Sequence, residues 1–276
     1  MAYKTILLCL NEIERVPQLI AAARQLGVKF NAHIAGLYVI PGVRMFPTDG
    51  YGAPMAVYEG AQTYFKDQLP KIREAFEHAM TEDKISFDLR VVNATQPIIA
   101  TDVLDHCYSA DLVVVSSGDR KADANIENDF VEQIVLAAGR PVLLLPFKGK
   151  TEINFDDVML SWNNSRESAR AAFDALAFMQ RAKRTKIAIV DASQRGQMEG
   201  ANIAETMDRN GVKCEIVNVV STGSNVGETL LRTAHEQGSG LLILGAYGHT
   251  RLTEWVFGGA TRHVLRHFNL PILMSH

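Results

Sequence analysis

The sequence predicts an α/β protein made of two tandem doubly wound domains, each a five-stranded parallel sheet covered by helices. Three observations predict it. Short β-branched or leucine-rich runs alternate with helix-length amphipathic segments along all 276 residues, the pattern of a parallel sheet buried on both faces. Five such runs fall in each half. The ends of the halves also match: DLVVVSS and then AAGRPVLLLPF in the first, GLLILGA and then HFNLPILMSH in the second. A repeat of this length means a duplicated domain rather than a solenoid.

In the first half the expected strands are Lys4 to Leu10, Ala32 to Ile40, Ile85 to Val92, Asp111 to Ser117 and Pro141 to Pro146. Pro41 to Gly60 has no counterpart in the second half and carries three Pro, four Gly and two Tyr. That composition predicts a long loop, either a lid or interface arm or a surface insertion. The expected strands of the second half are Asp157 to Asn163, Thr185 to Asp191, Lys213 to Val220, Gly240 to Ala246 and Pro271 to Ser275. Ser165 to Ala182 opens on a capping-type serine and predicts a helix with Phe173, Leu176 and Phe178 toward one side. The polar segment Lys148 to Phe155 marks the boundary, giving domains 1–150 and 151–276.

Composition narrows the function classes. Apolar residues make up 47% and charged residues 21%, as in a globular protein rather than a disordered one. The net charge of −3 lies entirely in the first half, so neither half has the basic excess of a non-specific nucleic-acid binder. Cys9, Cys107 and Cys214 are too few and scattered for a disulfide framework or a paired-cysteine zinc site. The apolar run near the N-terminus is too short for a signal segment, and no run reaches membrane-spanning length. The expectation is a cytoplasmic protein with no membrane and no nucleic-acid partner.

In a doubly wound sheet, ligands bind beyond the carboxyl ends of the strands, where strand order reverses. After the fourth strand of the second half comes Gly245-Ala-Tyr-Gly248, and after nine further residues Gly258-Gly259-Ala260-Thr261 opens the last helix. Glycines let backbone approach a phosphate, and a helix N-terminus supplies amide donors and a favourable dipole. A turn plus a helix-packing glycine would leave the same trace. Arg251, Arg262 and Arg266 with His249, His263 and His267 face only Glu254 across this stretch, which suits an anion.

The spacing G-x2-G-x9-G after the last strand but one, followed by a helix and a Pro-led strand, resembles the universal stress protein family. The resemblance covers both halves, as in a tandem UspA-like protein, and implies a Rossmann-like fold of the adenine nucleotide alpha hydrolase type. It implies stress-response activity, an intrachain pseudo-dimer of the two domains with a homodimer open, and ATP or another adenine nucleotide with magnesium as ligand. By the family's pattern Gly245, Gly248 and Gly258 match, but Gly259 stands where a phosphate-binding Ser or Thr belongs. Ala260 and Thr261 follow it, and Thr261 could partly substitute. The ribose-side Asp maps to Asn163, and the adenine-side apolar residue to Val190 within one or two positions. Family members that bind no nucleotide also exist, so the alternative is an interaction module.

The first half departs further. Gly118 is followed by an acidic stretch with Asn128 and Asp129 where a glycine turn would open the helix, and Asp119, Asp123, Glu127, Asp129 and Glu132 outnumber Arg120 and Lys121. Carboxylates there take the place a phosphate would want, so no nucleotide is expected in that half. His263 and His267 have zinc-type i, i+4 spacing but no intervening Glu and no evident third ligand. Ser161, Ser165 and Ser168 lie in no Gly-x-Ser-x-Gly elbow. Trp162 either lines a pocket or packs on a helix, and Asp156 and Asp157 read as solvated turn residues. No Ser-Gly-Gly pyrophosphatase loop, His-x-Gly-His motif or P-loop occurs. No catalysis is expected beyond a slow ATPase at most.

Overall fold

The computed structural model describes residues 3–43, 53–118, 129–192, 194–221, 225–247 and 259–276. By compactness the chain divides into a first unit, Tyr3–Arg140, and a second that takes Pro141–His276.

The first unit runs β1 (Thr5–Cys9), a 3-10 turn (Ile13–Arg15), α1 (Val16–Phe30), β2 (His33–Ile40), α2 (Ala53–Glu82), β3 (Phe87–Asn93), α3 (Ala100–Cys107), β4 (Leu112–Ser116) and α4 (Phe130–Ala137). Its strands lie in the order β3-β2-β1-β4 and pair in parallel, with Ile6 opposite both Ile34 and Leu112. Ile6, Leu7 and Leu8 point to alternate faces and are all fully buried, so helices cover both sides. α1 and α2 pack together, as do α3 and α4. Phe65, Ile72, Phe76 and Met80 form the buried stripe of α2, and Phe76 lies over Gly36, where a Cβ would come within 2.9 Å of its ring.

The second unit contains β5 (Val142–Leu145), β6 (Asp157–Ser161), α5 (Arg166–Asp174), α6 (Leu176–Met179), β7 (Arg184–Val190), α7 (Gln194–Arg209), β8 (Cys214–Val219), α8 (Val226–Glu236), β9 (Leu241–Gly245), α9 (Gly259–His267) and β10 (Ile272–Ser275). The order is β5-β10-β9-β6-β7-β8, parallel except for the antiparallel pair of β5 with β10, where Leu143 faces Leu273. That ladder attaches β5 to the second unit by compactness, ahead of the polar Lys148 to Phe155 segment. α5 packs on β9 and β10, α7 on β7 and β8, and α8 on α9. The expected α/β class and the five runs per half are both present.

Three local expectations change. Ala53 to Gly60 is the start of α2 rather than loop; Pro54 sits in its first turn, where no amide donor is needed. Pro41 to Val43 remain irregular, and residues 44–52 lie outside the described set. The helix expected over Ser165 to Ala182 breaks at Ala175, which shifts the phase of its apolar face. Phe173 is left 51% exposed, while Phe178 is buried and stacks on Phe155 at 5.8 Å. Asp156 and Asp157 are paired with Lys183 and Arg184, and Asp157 is largely buried.

Among the described residues no helix is long and apolar enough to cross a membrane.

Candidate functional site

The carboxyl ends of β6, β7, β9 and β10 form one edge of the second sheet, and the N-termini of α8 and α9 approach each other, Gly227 lying against Ala260. The ladder of β6 continues one step past the strand, with the Trp162 amide donating to the Ala188 carbonyl at 2.9 Å. Because Ser161 pairs with Ala188, the next same-face step places Asn163 level with Val190 at the sheet edge. The two residues expected at the sugar and base are therefore neighbours.

Asn163 is exposed, and its Oδ1 accepts from the Ser165 amide at 3.3 Å. This Asx-type turn leads into the cap of α5. Ser165 Oγ accepts from the Ser168 amide at 3.1 Å and Ser168 Oγ accepts from the Ser165 amide at 3.0 Å, a reciprocal capping box. Glu167 in the same turn is buried. Burial works against its charge, but hydrogen bonds from its own amide, Arg166 and Ser165 hold its carboxyl below the ordinary value.

Gly245 ends β9 directly beneath this turn. A Cβ there would stand 2.5 Å from the Glu167 carbonyl carbon and the Ser168 nitrogen, so the glycine is needed for α5 to seat on the sheet. Its role in the structure is helix packing. Beyond it, Tyr247 adopts φ +60° and donates its amide to Thr261 Oγ1 at 3.2 Å. Thr261 is 5% exposed: its hydroxyl accepts from the Tyr247 amide and retains its own hydrogen and one lone pair. His276 reaches the same turn, its Nδ1–H donating to the Ala246 carbonyl at 3.1 Å.

Gly259 is exposed, and among the described residues a Cβ there would meet nothing closer than Asn225 Nδ2 at 3.5 Å. The missing side chain at this position is a matter of sequence, since space is available. Ala260 packs its carbonyl against Gly227 at the start of α8, where a Cβ would come within 2.5 Å. Gly248 and Gly258, with His249, Arg251 and Glu254, lie outside the described residues.

Two residues at this edge escaped the sequence reading. Asn225 caps α8, its Oδ1 accepting from the Gly227 amide at 2.8 Å, and its amide group faces the start of α9. The signal was an Asn followed three residues later by Glu228 at the head of an amphipathic run. Asp191, just past β7 with φ +52°, accepts from the amide of Ser221 at 2.8 Å and from its hydroxyl. Those hydrogen bonds hold its carboxyl below the ordinary value.

The two histidines of α9 pair with each other. His263 and His267 stack at 4.2 Å, and His267 Nδ1–H donates to the His263 carbonyl at 2.8 Å. Among the described residues no group of three or more His, Cys, Asp or Glu could hold a metal ion. Trp162 is 7% exposed, so packing takes most of its surface.

The matching corner of the first unit is filled by its own side chains. Asn11, two residues past β1 as Asn163 is past β6, is 2% exposed and clamps β2: its Nδ2 donates to the Val39 carbonyl at 2.7 Å and its Oδ1 accepts from the Val39 amide at 3.1 Å. Glu12 follows it and lies against Gly118 beyond β4.

Comparison with known proteins agrees with this architecture. The universal stress protein family matches residues 159–276. No curated protein matches the chain. Among solved structures, the chain is similar to a universal stress protein from Archaeoglobus fulgidus at 13% identity and a TM-score of 0.70, covering 98% of this chain and 97% of that one. It is also similar to a functionally unknown protein from Pseudomonas aeruginosa at 13% identity and a TM-score of 0.54, covering 99% of this chain and 92% of that one. Residues 159–276 thus match the universal stress protein family, and nearly the whole chain shares the fold of the Archaeoglobus fulgidus protein.

Proposed function

We propose that the second unit binds an adenine nucleotide, ATP in the first instance, and that the chain is a cytoplasmic stress-response factor with little or no turnover. The observation that supports this most is the meeting of two helix N-termini: α8, capped by Asn225, and α9, opening at the uncrowded Gly259. The N-terminus of a helix carries the positive end of its dipole and amides without intrahelical partners, which suits phosphate oxygens. Asn163 and Val190, level with one another along the edge, would take the ribose and the base. Magnesium would be carried by the phosphates rather than by a protein carboxylate cluster. The lowered pKa of Asp191 makes it a poor base toward Ser221, in keeping with slow or absent hydrolysis. In this reading the domains 1–150 and 151–276 divide the work, the second holding ligand and the first engaging partners.

The test is to release small molecules from freshly purified protein by denaturation, identify them by mass spectrometry, and titrate the emptied protein with ATP and magnesium. About one adenine nucleotide per chain, or saturable binding, is the expected result. Neither, with the fold intact, would overturn it. A second reading, a pure interaction module, is favoured by Gly245 serving packing and by the absent hydroxyl at 259. If the hydroxyl is what limits binding, Gly259→Ser raises ATP affinity; an unchanged affinity counts against that explanation.

A further inference from the structure

The opposite, strand-start edge of the first sheet carries a hydrogen-bonded Ser-His-Asp chain. Ser86 immediately precedes β3 and Asp88 is its second residue, so in extended chain their side chains share one face. The ladder Ile34 to Phe87 and Ala35 to Asp88 brings the first residue of β2, His33, level with Ser86 on that face. His33 Nδ1 lies 2.8 Å from Ser86 Oγ, and His33 Nε2 lies 2.6 Å from Asp88 Oδ1. The second Asp88 oxygen accepts from Arg90 Nε at 2.8 Å. The backbone is held as well: the His33 amide donates to the Lys4 carbonyl and the Ile34 amide to the Ser86 carbonyl, both at 2.8 Å.

Hydrogen-bonding capacity fixes the direction of the chain. An ionised carboxylate only accepts, so Nε2 donates to Asp88, and in the neutral imidazole Nδ1 is left as acceptor for the Ser86 hydroxyl. Burial opposes the charge on Asp88, but the bonds from His33 and Arg90 outweigh it and keep the carboxylate ionised. A nucleophile, a base within hydrogen-bond reach and a group orienting the base are thus in place. Ser86 is exposed, and His33 and Asp88 are 33% and 41% exposed, so reagents in solution reach the hydroxyl directly.

We propose that Ser86 is an activated nucleophile toward small activated carboxylic esters, with His33 as its base. Ser86 Oγ bonds to the ester carbonyl carbon while its proton passes to His33 Nδ1. The carbon–oxygen bond to the leaving group breaks, and the departing alcohol or phenol takes that proton. Water, deprotonated by His33, then attacks the acyl-serine; the carboxylic acid leaves and Ser86 regains its proton. Asp88 steadies the transient imidazolium. Esters with good leaving groups are the substrate class because, at an exposed site, water competes for the developing oxyanion and little stabilisation is added there.

The experiment uses the full chain with p-nitrophenyl acetate, following p-nitrophenol release and locating the acetyl group by peptide mass spectrometry. The expected result is acetyl on Ser86, phenol release at background in Ser86→Ala, and acylation slower by about a hundredfold in His33→Gln. Acetyl on lysines alone, or Ser86 acylation at an unchanged rate in His33→Gln, would overturn the proposal. Mapping on the unsubstituted protein decides the site even if a variant fails to fold.

Discussion

Glu12 lies against Gly118: a Cβ on residue 118 would sit 2.6 Å from Glu12 Oε1. The carboxyl is partly buried, and that burial, reinforced by Glu14 and countered by Arg15, raises its pKa from 4.5 to about 7. The folded protein therefore holds this proton more tightly than the unfolded chain. The stability linked to it is fully present below about pH 4.5 and is lost as pH rises through about 7. Glu12→Gln should remove this loss, making the variant more stable relative to the parent at about pH 8 than at about pH 4, by at most about 3 kcal/mol. Denaturant unfolding of both proteins at the two pH values measures it; an equal difference at both would show that the carboxyl is not the source.

Gly245 and Gly259 belong to one sequence motif but have opposite surroundings. Gly245→Ala drives a methyl into the backbone of the first turn of α5, which cannot rotate away, and should cost about 1–3 kcal/mol. Gly259→Ala meets, among the described residues, only Asn225 at van der Waals distance and should change stability by less than about 0.5 kcal/mol. Urea unfolding of the two variants compares them directly.

Asn225 separates helix capping from ligand binding. Asn225→Asp keeps an acceptor for the Gly227 amide, so unfolding should move by less than about 0.5 kcal/mol. The added negative charge near the start of α9 should weaken ATP binding by about tenfold. Calorimetric titration reads the second effect and thermal unfolding the first. Weakened binding without a stability change places the phosphates beside this residue, and unchanged binding places them elsewhere.

Ser165→Ala opens the capping box at the start of α5 and should cost about 1 kcal/mol. The measurement is denaturant unfolding. Ser168→Ala alone should cost less, because Ser165 would still accept from the residue 168 amide.

Much of the fold was legible in the chain itself. Leu112–Ser116 with Val142–Leu145, and Leu241–Gly245 with Ile272–Ser275, stand out as apolar runs because strands buried on both faces have no polar alternation to obscure them. The Ser165 cap was legible for an equally local reason: its bonds span three residues. Phe173 was not, because a single irregular residue, Ala175, changes which side of the helix faces the sheet. The start of α2 was hidden by Gly and Pro, which mark loops on average yet fit a first helical turn.

At the candidate site, spacing located the glycines and the edge they occupy, but their duties depend on what lies above them. Gly245 is held to its residue type by α5, a segment from the far side of β9, while Gly259 has room for a side chain. Asn225 meets α9 only through the close approach of Gly227 to Ala260.

By itself the sequence determined the α/β class and the duplicated run of strands and helices, since periodicity and capping act over a few residues. Tertiary structure alone decided that Gly245 packs a helix, that Glu12 is partly buried against Gly118, and that His33 joins Ser86 to Asp88. Each of those depends on strands and helices far apart in the chain being brought within a few ångströms, where burial and hydrogen bonding set what a side chain can do.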